Sequence, residues 1–218
     1  MDKKAFTVSE MLVTIMIGAF LLGVVAGTVF VGRNTWIRNS ASIELQQKAH
    51  HCLEKLGMEL RRSDASYASI QACINEMDDT CVGQLIRFQT PQVTDDPIAG
   101  TYFLEDPAGE IKWGADGRLN EETIYMVPRS NFSSEHQGRL VRMVKKEGVA
   151  VEFENEDDYA ITVIADRVSA IGFLGYDYAG EDTQENPDYV EITVLVEKPS
   201  HIGEAFRFNL SSSVSLRN

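Results

Sequence analysis

Glu10 is the residue with the most demanding chemistry in this chain. It is a lone carboxylate at the head of Met11–Val31, a run of 21 residues with no charge. As a helix that run spans ~31 Å, about the thickness of a bilayer's hydrocarbon core. A carboxylate there costs a few kcal/mol unless it is paired, and a segment that only held a domain to a membrane would have no use for it. Two acidic clusters are candidates for calcium, which takes several oxygens from a constrained loop. One is Glu152, Glu154, Glu156, Asp157 and Asp158. The other, the better candidate, is Asp177, Glu181, Asp182, Glu185 and Asp188. Neither has EF-hand spacing, and an acidic run also reads as a solvated turn. Cys73 and Cys81 are eight apart in a polar stretch and could close a small loop by a disulfide. Cys52 falls in a helical pattern and reads as a buried small apolar residue. His50 and His51 are adjacent and so point to different helix faces, while His136 and His201 fall in loops. All four read as solvated. No zinc spacing, G-x-S-x-G, H-E-x-x-H or P-loop occurs, so the chain is not expected to be an enzyme.

The elements that must position these residues follow from periodicity. Beyond Gly32 the helical pattern continues. Leu45, Ala49, Cys52, Leu53, Leu56 and Leu60 form one apolar stripe, with Gln46, Lys48, Glu54, Lys55, Glu59 and Arg61 on the other faces. No proline occurs before Pro91. One helix from Phe6 to about Arg62, ~85 Å long, is therefore predicted; a span followed by a separate helix is the alternative. Arg61-Arg62 would face its C-terminal dipole. Gly23 and Gly27 form a G-x-x-x-G, which either lets helices approach closely or reflects the frequency of glycine in membrane helices. Ser63–Gly83 reads as a loop. The period then changes to two. Strands are predicted at Leu85–Phe88, Thr101–Leu104, Thr123–Val127, Arg139–Val144, Val149–Phe153, Ile161–Ile164, Val168–Leu174, Val190–Val196 and Phe206–Leu216, separated by turn residues. The fold class is α+β: a long N-terminal helix, transmembrane in its first half and amphipathic in its second, packed on a mostly antiparallel sheet.

Composition narrows the function. The 218 residues suffice for one membrane helix and one soluble domain with a real core. A net charge of −13 leaves no electrostatic footprint for nucleic acid and disfavours lying on anionic lipid. Lys3 and Lys4 before the span place the N-terminus in the cytoplasm. Arg33 and Arg38, just beyond it, weaken that bias.

The segment Lys3-Lys4-Ala5-Phe6-Thr7-Val8-Ser9-Glu10 with its apolar run resembles the prepilin-type signal of type IV pilins and type II secretion pseudopilins. Ala5 stands where the family usually has Gly, and Ser9 where it usually has an apolar residue. The resemblance implies cleavage between Ala5 and Phe6 by a prepilin peptidase and methylation of the new Phe6 amine. It also implies that Glu10 pairs with the N-terminal amine of a neighbouring subunit; alternatively, Glu10 stays hydrated among cytoplasmic headgroups. Leu53–Arg62, Gly138-Arg139-Leu140-Val141-Arg142, Asp166-Arg167-Val168 with Gly172-Phe173, and Tyr189-Val190-Glu191-Ile192 resemble, in order, segments of J-type minor pseudopilins and W-type minor pilins. The implied organisation is a leader at 1–5, a transmembrane half-helix at 6–31, an amphipathic half-helix at 32–62 and a β-rich periplasmic or extracellular domain at 63–218. The implied partners are other pilin or pseudopilin subunits, the prepilin peptidase and the bacterial inner membrane. Some pseudopilins bind calcium.

Two other classes stay open. One is an exported domain with an ordinary signal peptide, cleaved after Val24-Val25-Ala26. The other is a periplasmic receptor or adhesin on a simple anchor, for which neither Glu10 nor the Phe6 terminus would matter.

Overall fold

The computed structural model describes residues 7–73, 81–96, 100–105, 107, 108, 110–115, 118, 119, 121–129, 132–146, 156–199 and 205–216. The leader, Ala5 and Phe6, Asp78-Asp79, the strand read over Val149–Phe153, Glu152, Glu154 and His201 lie outside the described residues. The chain divides into two compact units, Met1–Ile43 and Glu44–Asn218. A single helix, α1 (Val8–Leu60), contributes residues to both.

Within the first unit, the Met11–Val31 stretch of α1 carries no charge, and its large apolar side chains stay exposed. Leu12, Phe20, Leu22 and Phe30 are each more than 60% accessible. Its most apolar 18-residue window has a mean hydropathy of 2.4 and buries nothing. By length and composition it can cross a membrane. The hydroxyls of Thr14, Thr28 and Thr35 are satisfied within the helix. Thr14 Oγ1 donates to the Glu10 carbonyl at 2.8 Å and Thr28 Oγ1 to that of Val24 at 2.9 Å, the arrangement that lipid requires.

The second unit takes Glu44–Leu60 of α1 and all the strands. The predicted stripe is buried throughout: Leu45, Ala49, Cys52, Leu53, Leu56 and Leu60 are each at most 7% accessible. Helix α1 ends at Leu60, with tight bonds from Arg62 N to Glu59 O and from Ser63 N to Leu60 O. Arg61 and Arg62 therefore lie past the last helical turn, which contains no basic residue.

The strands are β1 (Ser69–Ala72), β2 (Gln84–Phe88), β3 (Thr90–Pro91), β4 (Val93–Asp96), β5 (Gly100–Phe103), β6 (Trp113–Ala115), β7 (Arg118–Leu119), β8 (Thr123–Met126), β9 (Arg139–Lys145), β10 (Tyr159–Asp166), β11 (Val168–Tyr176), β12 (Asp182–Thr183), β13 (Tyr189–Lys198) and β14 (Phe206–Ser215). Two antiparallel sheets dominate, in the orders β1-β2-β8-β9-β10 and β12-β11-β13-β14. A three-stranded β3-β6-β7 sheet and a two-stranded β4-β5 sheet complete the described strands. The fold is thus the α+β class expected, a long N-terminal helix on mostly antiparallel sheet.

Strand β13 shows why the pattern folds this way. Val190, Ile192, Val194 and Val196 are fully buried, and the residues between them are half-exposed. Phe206, Phe208 and Leu210 of β14 add to the same core as the α1 stripe, Ile86, Phe88, Tyr125 and Phe173. The five-stranded sheet is also covered on its other face. Leu85, Ile124, Met126, Val141 and Met143 build a second core with Phe132, Tyr159 and the two cysteines Cys73 and Cys81.

The stretch read as a loop, Ser63–Gly83, holds ordered structure. Asp64 caps a 3-10 turn, Ala65–Tyr67, by accepting from Ser66 N at 2.9 Å, and β1 follows as a sheet edge. With Ile70 as its only buried residue, β1 offers no alternation to read. Gly83 closes the stretch at φ +89°, bridged to Ile171 so that the two large sheets join there. A Cβ at Gly83 would lie 2.4 Å from the Ile171 carbonyl oxygen, so glycine alone fits.

Candidate functional site

Helix α1 starts one residue after Thr7, and Thr7 supplies what the sequence reading of Glu10 lacked. Thr7 N and Thr7 Oγ1 both donate to Glu10 Oε2 at 2.9 Å, while Glu10 N approaches Thr7 Oγ1 at 3.3 Å. This is a capping box: the carboxylate three residues into the helix satisfies an otherwise orphaned N–H, and the threonine returns the bond. The negative charge also sits at the positive end of the helix dipole. The signal was present in the sequence as the spacing Thr7-x-x-Glu10. A partner charge on another chain would therefore meet a carboxylate already held in place by its own helix.

The residues of the second acidic cluster come together without converging. Asp177 Oδ1 accepts from Glu181 N at 2.8 Å, and Asp188 Oδ2 from Tyr178 N at 2.9 Å. The turn at Asp177–Glu181 is closed by Asp177 N to Glu181 O at 3.0 Å. Two of the five carboxylates thus hold the loop's own backbone, and no group of three metal-ligating side chains forms among the described residues. Cys73 and Cys81 form a disulfide with their Cα atoms 5.7 Å apart. Cys52 is free and buried, and burial pushes its thiol pKa up to about 11.

His136 is not simply solvated. Its Nδ1 meets the Glu156 carboxylate and, at 3.2 Å, Ser133 Oγ, while Ser133 N donates to Glu156 Oε2 at 2.6 Å. Burial works against the Glu156 charge, yet the Ser133 N–H, His136 and the Ser133 hydroxyl together hold its carboxyl below the usual range. A nucleophile relay needs the serine on one ring nitrogen and the carboxylate on the other. Here both reach Nδ1, so this group clamps the 132–138 turn. His50 and His51 are exposed on the helix. A groove of about 480 Å³ beside His50, between α1 residues such as Glu54 and Met58 and the β14 serines Ser211 and Ser212, gathers no paired acid and base.

Two charge clusters fix the Glu44–Leu60 part of α1 to the strands. Glu44 meets Lys198, Arg167 Nη1 at 2.8 Å and Lys48 Nζ at 3.5 Å, and Lys48 also meets Asp166 Oδ1 at 2.7 Å. The Lys198 ammonium above all holds the Glu44 carboxyl low, and the Lys48 ammonium does the same for Asp166. Further along, Arg142 Nε donates to Glu59 Oε2 at 3.0 Å with both side chains mostly buried. Tyr125 is buried beside them; burial, and then the Glu59 charge, raise its hydroxyl pKa. The signal for this pair lay in two charges placed inside apolar patterns, Glu59 between Leu56 and Leu60 and Arg142 between Leu140 and Val144.

No protein-family model matches this chain, and a search of curated proteins finds no match. The fold and the geometry define the class at a physical level: an α+β protein whose N-terminal helix carries an apolar, membrane-length segment headed by a self-capped glutamate.

Proposed function

We propose that this chain is a minor pilin or pseudopilin, a structural subunit that waits in the bacterial inner membrane with its β-rich domain in the periplasm. A prepilin peptidase would cut between Ala5 and Phe6, and the Phe6 amine would then be methylated. The subunit would join a type IV pilus or type II secretion pseudopilus through α1, near the tip or at initiation. The observation that carries this reading is the single helix Val8–Leu60: apolar, exposed and free of charge from Met11 to Gly32, then amphipathic and buried against antiparallel sheet from Leu45 onward. A shaft element that serves both lipid and a globular domain needs these two environments in one helix. Glu10 supports it as well. Cleavage creates a cation at Phe6 in or near lipid, and pairing each amine with a neighbour's Glu10 neutralises both while setting subunit register.

A second reading, a membrane-anchored binding domain outside any fibre, is favoured by the capping box, because Glu10 already has a partner within its own helix. The deciding measurement is the mass and N-terminal sequence of the protein isolated from membranes that contain a prepilin peptidase. A chain beginning at Phe6 and one methyl heavier supports the subunit reading. A start at Gly27, or an intact Met1, overturns it.

A further inference from the structure

We propose that Arg33, Trp36 and Arg38 form a collar that docks anionic phospholipid headgroups on the domain side of the membrane; this rests on α1 crossing that membrane. The charge-free run ends at Gly32. At 1.5 Å per residue, Arg33 lies ~3 Å, Trp36 ~7.5 Å and Arg38 ~10 Å along the helix beyond Val31; the headgroup layer is about 5–8 Å deep, so Arg33 and Trp36 fall within it and Arg38 just past it, where a long side chain reaches back. All three side chains are exposed, Trp36 at 70% of its full area. Arg33 and Arg38 are separated by ~140° around the helix axis, so they ring the helix instead of lining one stripe. Tryptophan suits this depth because its ring is apolar and its indole N–H donates a hydrogen bond. The threonine hydroxyls before and within the collar are already spent inside the helix, as Thr28 and Thr35 donate to the Val24 and Val31 carbonyls at 2.9 and 3.0 Å.

Charge names the occupant. No Asp or Glu occurs between Met11 and Ile43, and the two arginines make this stretch +2 in a chain of −13. An acidic domain is repelled by an anionic surface. The collar supplies attraction at the one place where the helix must meet headgroups, and arginine pairs phosphate bidentately. The collar therefore selects phosphatidylglycerol-type lipids over zwitterionic ones as its neighbours.

The test uses the full chain with Trp113→Phe, which leaves Trp36 as the sole tryptophan and keeps an aromatic ring beside Tyr67. The protein is reconstituted in phosphatidylcholine vesicles containing phosphatidylglycerol and washed at alkaline pH. Trp36 fluorescence is then quenched with either lipid dibrominated near the headgroup end of its chains. The expected result is retention in the wash and an apparent preference for the brominated anionic lipid of roughly tenfold, falling to parity in Arg33→Gln/Arg38→Gln. Equal quenching by both lipids in the Trp113→Phe protein overturns the proposal. So does a retained protein whose Trp36 is unquenched until subunits are diluted, which would mean that a second helix covers the collar. Loss of the protein in the wash is a different failure: it removes the spanning helix, and the collar with it.

Discussion

A carboxylate three residues into a helix can serve the helix end, a charge on another chain, or both. For Glu10 the two roles separate by substitution. Glutamine still accepts from Thr7 N–H and keeps the cap but carries no charge, whereas alanine loses both. Under the proposed function, Glu10→Gln and Glu10→Ala are both processed at the N-terminus, and both fail to co-sediment with sheared fibres. A Glu10→Gln protein that assembles normally beside a defective Glu10→Ala would make the cap the whole of the residue's role. Glu59 and Arg142 pose a second residue-scale question, since both are mostly buried and they pair with each other. Removing the Glu59 carboxylate takes an ion-pair partner from a mostly buried guanidinium beside the buried Tyr125. Glu59→Ala is expected to lower unfolding stability by about 2–3 kcal/mol, and Glu59→Ala with Arg142→Met by clearly less than the sum of the two singles. Urea midpoints of the detergent-solubilised full chain measure both.

At the scale of elements, the five-stranded sheet is covered on both faces. The face toward α1 follows from the helix stripe and the strand alternation. The other face depends on a second core that Cys73 and Cys81 help to close. Bridging residues eight apart removes loop entropy worth about 2.5 kcal/mol. Cys73→Ala/Cys81→Ala is therefore expected to lower the thermal midpoint of the β-rich unit by several degrees, with the same shift when the native protein is reduced. Calorimetry with and without reductant checks this. An unchanged midpoint would mean that the second core holds without the bridge.

For the Glu44–Asn218 unit as a whole, the charge cluster at Glu44 makes stability depend on pH. Glu44 and Asp166 titrate below their ordinary values of 4.5 and 3.8 when folded, because Lys198 and Lys48 favour their charged forms. The unfolded chain therefore binds protons first. The contribution is complete at neutral pH, begins to fall as pH drops through the ordinary values, and vanishes below the folded ones. Both carboxylates are partly exposed, so the effect is modest and screened by salt. Lys198→Met should be less stable than the native chain at pH 7, with the gap closing as pH falls below about 4. Urea midpoints measured against pH would show it, and a gap that stays constant into acid would remove Glu44 as its source.

The helix, its two environments and most strands were legible from sequence because each rests on short-range periodicity. A charge-free run of membrane length, a stripe at Leu45–Leu60 and the alternation Val190–Val196 are properties of consecutive residues. The Thr7–Glu10 cap was equally local and was written in its spacing. Strand β1 was not legible, since four residues with one buried side chain have no period; it exists because β2 offers it an edge. Only the tertiary structure paired Glu59 with Arg142, 83 residues apart, and Lys48 with Asp166, 118 apart. It alone spent Asp177 and Asp188 on their own loop backbone. Sequence fixes which residues are apolar, charged or able to turn, and contacts between distant segments decide which of those charges and strands find partners.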